Sequence, residues 1–235
     1  MTVPQITPPT DAPLPAKALK LGNGPGKPDI WVVDLAGMPR VWKTWDRRPP
    51  LERRTLGKRL AAHEARVIER LQDLPAFPKL LSMPHLWTVE MSLLPAEPVP
   101  EIKNEGALSR LYFDRLEAIL RTMHDRGVNH GDLRRKNLLC AANDREQPLM
   151  VDFTQCLLIT VPASGVQAYA LREAIRIDRV TFLKLKRWYL GEGALSEAEQ
   201  TELEDVPWHL QVGRFMRHNL YRPVRRLLTG KRRRH

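Results

Sequence analysis

His130-Gly131-Asp132-Leu133-Arg134-Arg135-Lys136-Asn137-Leu138-Leu139, followed shortly by Val151-Asp152-Phe153, decides how this chain folds. Asp132, Asn137 and Asp152 supply a carboxylate, an amide and a second carboxylate, in that order. Leu138-Leu139-Cys140 reads as a short buried strand. Asn143-Asp144-Arg145-Glu146-Gln147-Pro148 is polar and turn-rich, so Leu149-Met150-Val151 can return antiparallel and deliver Asp152 beside Asn137. Alone, H-G-D reads as a turn and D-F as a strand end. Together, spacing, polarity and strand context specify side chains that handle a proton and a metal.

Upstream, Ile30-Trp31-Val32-Val33-Asp34-Leu35 and Arg40-Val41-Trp42-Lys43-Thr44-Trp45 flank an Ala36-Gly37-Met38-Pro39 turn and predict a hairpin with Lys43 on its second strand. A lysine on an exposed strand face is usually a solubility residue, but the next segment offers it a partner. From Thr55 to Leu74, apolar Leu56, Leu60, Val67, Ile68, Leu71 and Leu74 recur at helical intervals, and Glu64 lies on that apolar stripe. A carboxylate placed there needs a cation, which favours Glu64 over the more simply solvated Glu69 and Glu52 as the partner of Lys43.

With 235 residues and 43% hydrophobic content, the chain can bury a substantial core. Residues 1–16 hold five prolines and read as an extended arm. Residues 17–94 form a first lobe and 95–235 a second, with Pro95-Ala96-Glu97-Pro98-Val99-Pro100 at the boundary. Leu108, Leu111, Tyr112, Leu116, Ile119, Leu120 and Met123 predict a core-facing helix with Gly127 after its end. Another helix is expected from about Tyr169 to Leu190, ending at Gly191, and Ser196 with Glu199 makes a capping box for a further one. His63, His85 and His124 read as structural, and Cys140 and Cys156 as free buried thiols. No secretory signal or membrane-length apolar run is apparent, so a cytoplasmic location is expected.

These residues resemble the protein-kinase-like superfamily over roughly residues 17–190, which implies an α+β fold with a small β-rich lobe and a helical lobe. Asp132 and Asn137 match the H-x-D-x-x-x-x-N signature, Asp152 the aspartate of D-F-G, and Lys43 the lysine of V-A-I-K. The resemblance implies an ATP- and Mg2+-dependent kinase. Asp132 would orient or deprotonate the acceptor hydroxyl, Asn137 and Asp152 would hold magnesium, and Lys43, held by Glu64, would clamp phosphate. Arg134 stands where protein kinases carry a lysine and would neutralise charge on the transferring group. Leu21-Gly22-Asn23-Gly24-Pro25-Gly26-Lys27 is similar to a degenerate glycine loop whose Gly22 and Gly24 would approach phosphate, or else is an entry linker. Trp87-Thr88-Val89-Glu90-Met91 looks like the strand entering the hinge, where Glu90 and Met91 would offer backbone groups to adenine.

Gly131 replaces the arginine of H-R-D, Thr154 replaces the glycine of D-F-G, and no A-P-E follows, leaving little room for a peptide platform. These departures resemble the small bacterial lipopolysaccharide core kinases and imply a membrane glycolipid as acceptor. The alternatives are an atypical kinase or ATPase resembling the RIO kinases or the kinase-like subunit of the tRNA threonylcarbamoyl-transfer complex, and a pseudokinase acting as a binding module.

The net charge of +11 is concentrated at the end: residues 205–235 contain nine Arg or Lys and one acid, Asp205. Trp208, Val212, Phe215, Met216, Leu220, Val224, Leu227 and Leu228 recur at helical steps between Arg214, Arg217, Arg222, Arg225 and Arg226. A basic amphipathic helix of this kind suits an anionic membrane surface and a peripheral location there. A final helix packed on the lobe and a nucleic-acid contact are the other readings.

Overall fold

The computed structural model describes residues 16–24, 26–101 and 108–205. Most of the Pro-rich arm, Pro25 of the glycine loop, and the basic tail from 206 onward lie outside the described residues, so the readings placed on them are not addressed by the fold.

Five antiparallel strands form the first sheet, in the order β1-β2-β3-β5-β4: β1 (Ala16–Lys20), β2 (Asp29–Leu35), β3 (Met38–Thr44), β4 (Leu80–His85) and β5 (Thr88–Ser92). The β2–β3 turn is Ala36-Gly37, with φ of 54° and 79°. Such a two-residue turn matches strand twist, and it pairs Leu35 with Met38 and Ile30 with Lys43. One sheet face carries Trp31, Val33 and Trp42; the other faces the cleft and the main core.

After β3, α1 (Pro50–Glu52), a π turn (Arg53–Gly57) and α2 (Lys58–Leu71) run as one helical stretch. Pro50 suits the first helical position, where no N–H is needed. α2 buries Ala61, Glu64, Ala65, Val67, Ile68 and Leu71, and Leu60 packs partly buried against the same core; Leu56, in the π turn, is exposed.

The chain leaves the first sheet after Ser92, and β6 (Ala96–Pro98) pairs instead with β8 (Leu138–Ala141), itself paired with β9 (Asp144–Met150). The predicted polar turn at 143–148 is mostly strand, and only Ala142 and Asn143 make the turn. Tertiary partners overrode local polarity here: Asp144 pairs with Arg115 at 2.7 Å and Glu146 accepts from Ser109. α3 (Arg110–Asp125) is capped by Ser109 and buries Tyr112, Phe113, Leu116, Leu120 and Met123, whereas Leu111 is exposed. Beyond it, β7 (Val128–Asn129) pairs with β10 (Leu157–Leu158), α4 spans Gly165–Leu190, and α5 (Glu197–Glu204) starts on the Ser196/Glu199 capping box. One apolar cluster runs from Trp45 and α2 through Phe153 to α3 and α4. Burial of that continuous surface holds the cleft walls together.

Candidate active site

Four groups converge where β3, α2 and the end of β9 meet. Lys43 Nζ lies 2.8 Å from Glu64 Oε1, 2.7 Å from Asp152 Oδ1 and 2.7 Å from Thr154 Oγ1. The Phe153 N–H also donates to Glu64, and the Thr154 hydroxyl reaches both Asp152 (2.9 Å) and Glu64 (3.4 Å). Glu52, a competing partner on sequence grounds, instead accepts from the Gly26 N–H, and Glu69 is exposed. Burial alone would push the Lys43 ammonium down, but the charges of Glu64 and Asp152 and their hydrogen bonds outweigh it and hold it above its ordinary value. Burial likewise opposes ionisation of Asp152. Lys43's charge and hydrogen bond, helped by Thr154, prevail and keep that carboxyl well below the usual carboxylate range.

The second cluster is the catalytic loop. Asn137 donates through Nδ2 to the Asp132 carbonyl (2.9 Å) and to Asp132 Oδ2 (3.2 Å), and Arg134 Nη2 sits 2.8 Å from the same carboxylate. The β8–β9 hairpin fixes the spacing between the clusters, because the Val151 N–H donates to the Asn137 carbonyl at 3.0 Å and sets Asp152 beside it.

Two contributors escaped sequence reasoning. Thr154 had counted only as a departure from D-F-G, yet its hydroxyl lies inside the lysine–carboxylate cluster. Asp178, on α4, is 1% exposed and accepts from the backbone N–H of His130 (2.6 Å) and Gly131 (2.9 Å) while contacting His124 Nε2 at 3.1 Å. A signal existed, since Asp178 stands at helical steps from buried Leu171, Phe182 and Leu185, as Glu64 does on its own stripe. Gly131 also acquires a reason. Its φ is +71° and an added Cβ would collide with the Gln155 carbonyl oxygen, so no arginine fits there. His130 is buried, which lowers its pKa against the pull of Asp178, Asp152 and Asp132.

The walls enclose a cleft of about 330 Å³ that includes Lys20, Lys27, Lys43, Asp132, Arg134 and Asp152. Asn137 lies just behind this wall against Asp132, and is 4% exposed. Leu21 to Asn23 and Gly26 to Pro28, between β1 and β2, line the cleft as its roof, so this stretch is no loose linker. Gly22 reaches the wall; Gly24 does not. The donors expected of this loop are largely engaged, for the Gly22 N–H bonds Asp29 Oδ1 (2.7 Å) and the Gly26 N–H bonds Glu52 Oε1 (2.6 Å).

Glu90 and Met91 need correction. β5 is flanked on both sides, with Trp42 and Ser82 opposite Glu90 and Val41 and Leu80 opposite Met91, so their backbone groups serve the sheet and not a base. Glu90's side chain is held by Arg40 (3.0 Å) and Ser82 (2.5 Å), and neither residue lies on the cleft wall. The backbone first leaves the ladder after Ser92.

The RIO domain family matches residues 43–167. Among solved structures, the Rio2 kinase from Chaetomium thermophilum in an ADP/Mg2+-phosphoaspartate complex is 21% identical, with a TM-score of 0.48, and the match covers 80% of this chain and 61% of that one. A second structure of Rio2 kinase from the same organism is 19% identical, with a TM-score of 0.45 and coverage of 79% and 70%. This chain therefore spans less than two thirds of the first structure's length. No curated protein matches the chain. Nothing in these comparisons supports the lipopolysaccharide core kinases, whereas the match on 43–167 runs from Lys43 through Glu64 and Asp132 to Asp152 and covers more than half of the chain. The chain belongs to the RIO domain family.

Proposed function

We propose that this protein is an ATP- and Mg2+-dependent phosphotransferase of the atypical kinase or ATPase type, working in the cytoplasm. The observation that carries this reading is that Lys43, Asp132, Arg134, Asp152 and Thr154 line a single cleft, with Glu64 buried behind Lys43 and bonded to it. Lys43, steadied by Glu64, would pass from Asp152 to the phosphates and offset their charge. Asp132 would orient the acceptor hydroxyl or water and take its proton. Arg134, half exposed and already beside Asp132, would meet the charge developing on the transferred group.

The donor chemistry fits magnesium. Asn137 turns its amide nitrogen to Asp132, which leaves its oxygen, and one Asp152 oxygen is held by Lys43 and Thr154, which leaves the other. Among the described residues no group of three or more His, Cys, Asp or Glu side chains is placed to hold a metal. Two protein oxygens completed by phosphate and water suit a hard cation that keeps part of its hydration shell. Held by Asn137 and Asp152, magnesium would neutralise charge on the phosphates.

Family membership supports a RIO-like role over a glycolipid one, which rests on the departures at Gly131, Thr154 and the missing A-P-E and on a basic tail outside the described residues. Its nine Arg or Lys residues would draw a polyanionic partner such as RNA equally well. Retention of every charged group in one cleft favours an enzyme over a binding module. The test is incubation of the full chain with γ-labelled ATP and Mg2+, with total RNA, a protein extract and purified lipopolysaccharide in separate reactions. Label released as phosphate or placed on protein, and lost in Asp132→Asn, is expected. Label on lipopolysaccharide would restore the glycolipid reading, and absence of both turnover and nucleotide binding would sink the phosphotransferase reading.

A further inference from the structure

The roof of the cleft is short of backbone donors. Between Gly22 and Pro28, the N–H groups of Gly22 and Gly26 are engaged by Asp29 and Glu52, and that of Lys27 bonds the Gly24 carbonyl at 3.3 Å. Pro25 and Pro28 have no N–H to offer. Among the described residues, the N–H groups of Asn23 and Gly24 have no such partner. The arrangement is clamped: Arg48 holds the carbonyls of Gly22 (3.0 Å) and Gly24 (3.4 Å) as well as the buried Asp29 carboxylate (3.3 Å), and Trp45 Nε1 donates to the Gly26 carbonyl. A triphosphate beneath this roof must find its cations among side chains.

Strand register supplies one. Along β1, Ala16 pairs with Val33 and Ala18 with Trp31, so these alanines face the Trp31–Trp42 side of the sheet. In regular alternation Lys20 would point the same way as Ala18. Instead the register slips between Ala18 and Lys20, and Lys20 pairs with Ile30, which in turn pairs with Lys43. Residues directly opposite each other share a face, so this bulge turns Lys20 to the cleft side, in one row with Ile30 and Lys43. Re-aiming a side chain is what a one-residue bulge does. Two strand spacings separate the lysines, about 10 Å, a span over which two ammonium groups reach opposite sides of a phosphate chain. The Lys20 side chain lines the cleft and makes no hydrogen bond or ion pair among the described residues, and its charge contributes to lowering the pKa of Asp152.

We propose that Lys20 is a second phosphate-binding lysine, set by the β1 bulge opposite Lys43 and replacing glycine-loop amides that Asp29 and Glu52 occupy. The RIO domain match begins at Lys43 and does not reach this residue. The inference rests on the phosphotransferase reading and assigns one contact within it.

The experiment is titration of the full chain with MgATP, MgADP and adenosine, comparing Lys20→Gln, Lys20→Arg and Lys58→Gln, at an exposed residue that does not line the cleft. Lys20→Gln is expected to weaken MgATP by about fivefold to tenfold, MgADP less and adenosine not at all, as one charge-assisted contact to an outer phosphate would. Lys20→Arg should recover most of that affinity, and Lys58→Gln should bind as the unaltered protein does. The assignment is overturned if Lys20→Gln binds MgATP within twofold of the unaltered protein, if Lys58→Gln weakens it as much, or if all three ligands weaken together. Unaltered protein that binds no MgATP would mean instead that the phosphotransferase reading itself has failed.

Discussion

The catalytic loop and the roof of the cleft use the same device with opposite results. In the loop, Asp178 grips the amides of His130 and Gly131 from beneath, which frees the Asp132 side chain to face the cleft. In the roof, Asp29 and Glu52 grip the amides of Gly22 and Gly26, the groups on which a glycine loop depends for phosphate. A carboxylate that pins a loop by its N–H groups rigidifies it and removes anion-binding donors at once. Where chemistry resides in a side chain, nothing is lost; where it resides in the backbone, side chains must take over.

The largest expected effect breaks the catalytic half alone. Asp132→Asn should lower ATP turnover by roughly a hundredfold or more while leaving MgATP affinity nearly unchanged, because it removes the acid–base group and keeps the shape. Single-turnover assays beside equilibrium titration would show it, and near-normal turnover would remove Asp132 from the chemistry. Asp178→Ala should act first on stability. It strands the His130 and Gly131 amides and the contact to His124, and losing such a buried acceptor costs about 2–4 kcal/mol. A urea midpoint within error of the unaltered protein would show that the loop needs no such anchor.

The lysine–carboxylate cluster that joins the two halves predicts a pH dependence. Asp152 is depressed in the folded chain, so its contribution to stability is fully present above its ordinary value near 3.8 and is lost as pH falls through the folded one. Lys43 is raised, so its contribution is fully present below 10.5 and is lost as pH rises through its folded value. Urea midpoints should therefore fall at both extremes, and Asp152→Asn should flatten the acid limb. An unaltered acid limb in that variant would refute the pairing.

Smaller effects belong to the sheet and the roof. Glu90→Gln should cost about 1–2 kcal/mol, since a buried charge-assisted contact to Arg40 is weakened, yet leave MgATP affinity within twofold. A large loss of nucleotide affinity there would return Glu90 to the base-binding role that the β5 ladder denies it. Glu52→Ala, which releases the Gly26 amide, should change stability by less than about 1 kcal/mol and MgATP affinity by at most threefold. A tenfold gain would mean that the amide was the better phosphate donor all along.

Much of the site was legible because a charged group on an apolar stripe has to be explained. Glu64 stood on the buried face of α2 and called for a cation, which Lys43 is. Asp178 carried the same signal on α4, but its partners are backbone amides of a loop, which no side-chain pattern reveals. Glu90 and Met91 were correctly placed on a strand. That both edges of the strand are occupied depends on β4 pairing through two irregularities.

The sequence by itself determined the order and type of the catalytic groups, the hairpin that joins Asn137 to Asp152, and the helix capped at Ser196. Each follows from backbone geometry within a few residues, where 2.0- and 3.6-residue periods and turn chemistry act. The tertiary structure alone decided which backbone donors remain free and which way Lys20 points. Hydrogen bonding of buried groups is a competition over the whole chain, and a slip of one residue between strands exchanges the two faces of a sheet.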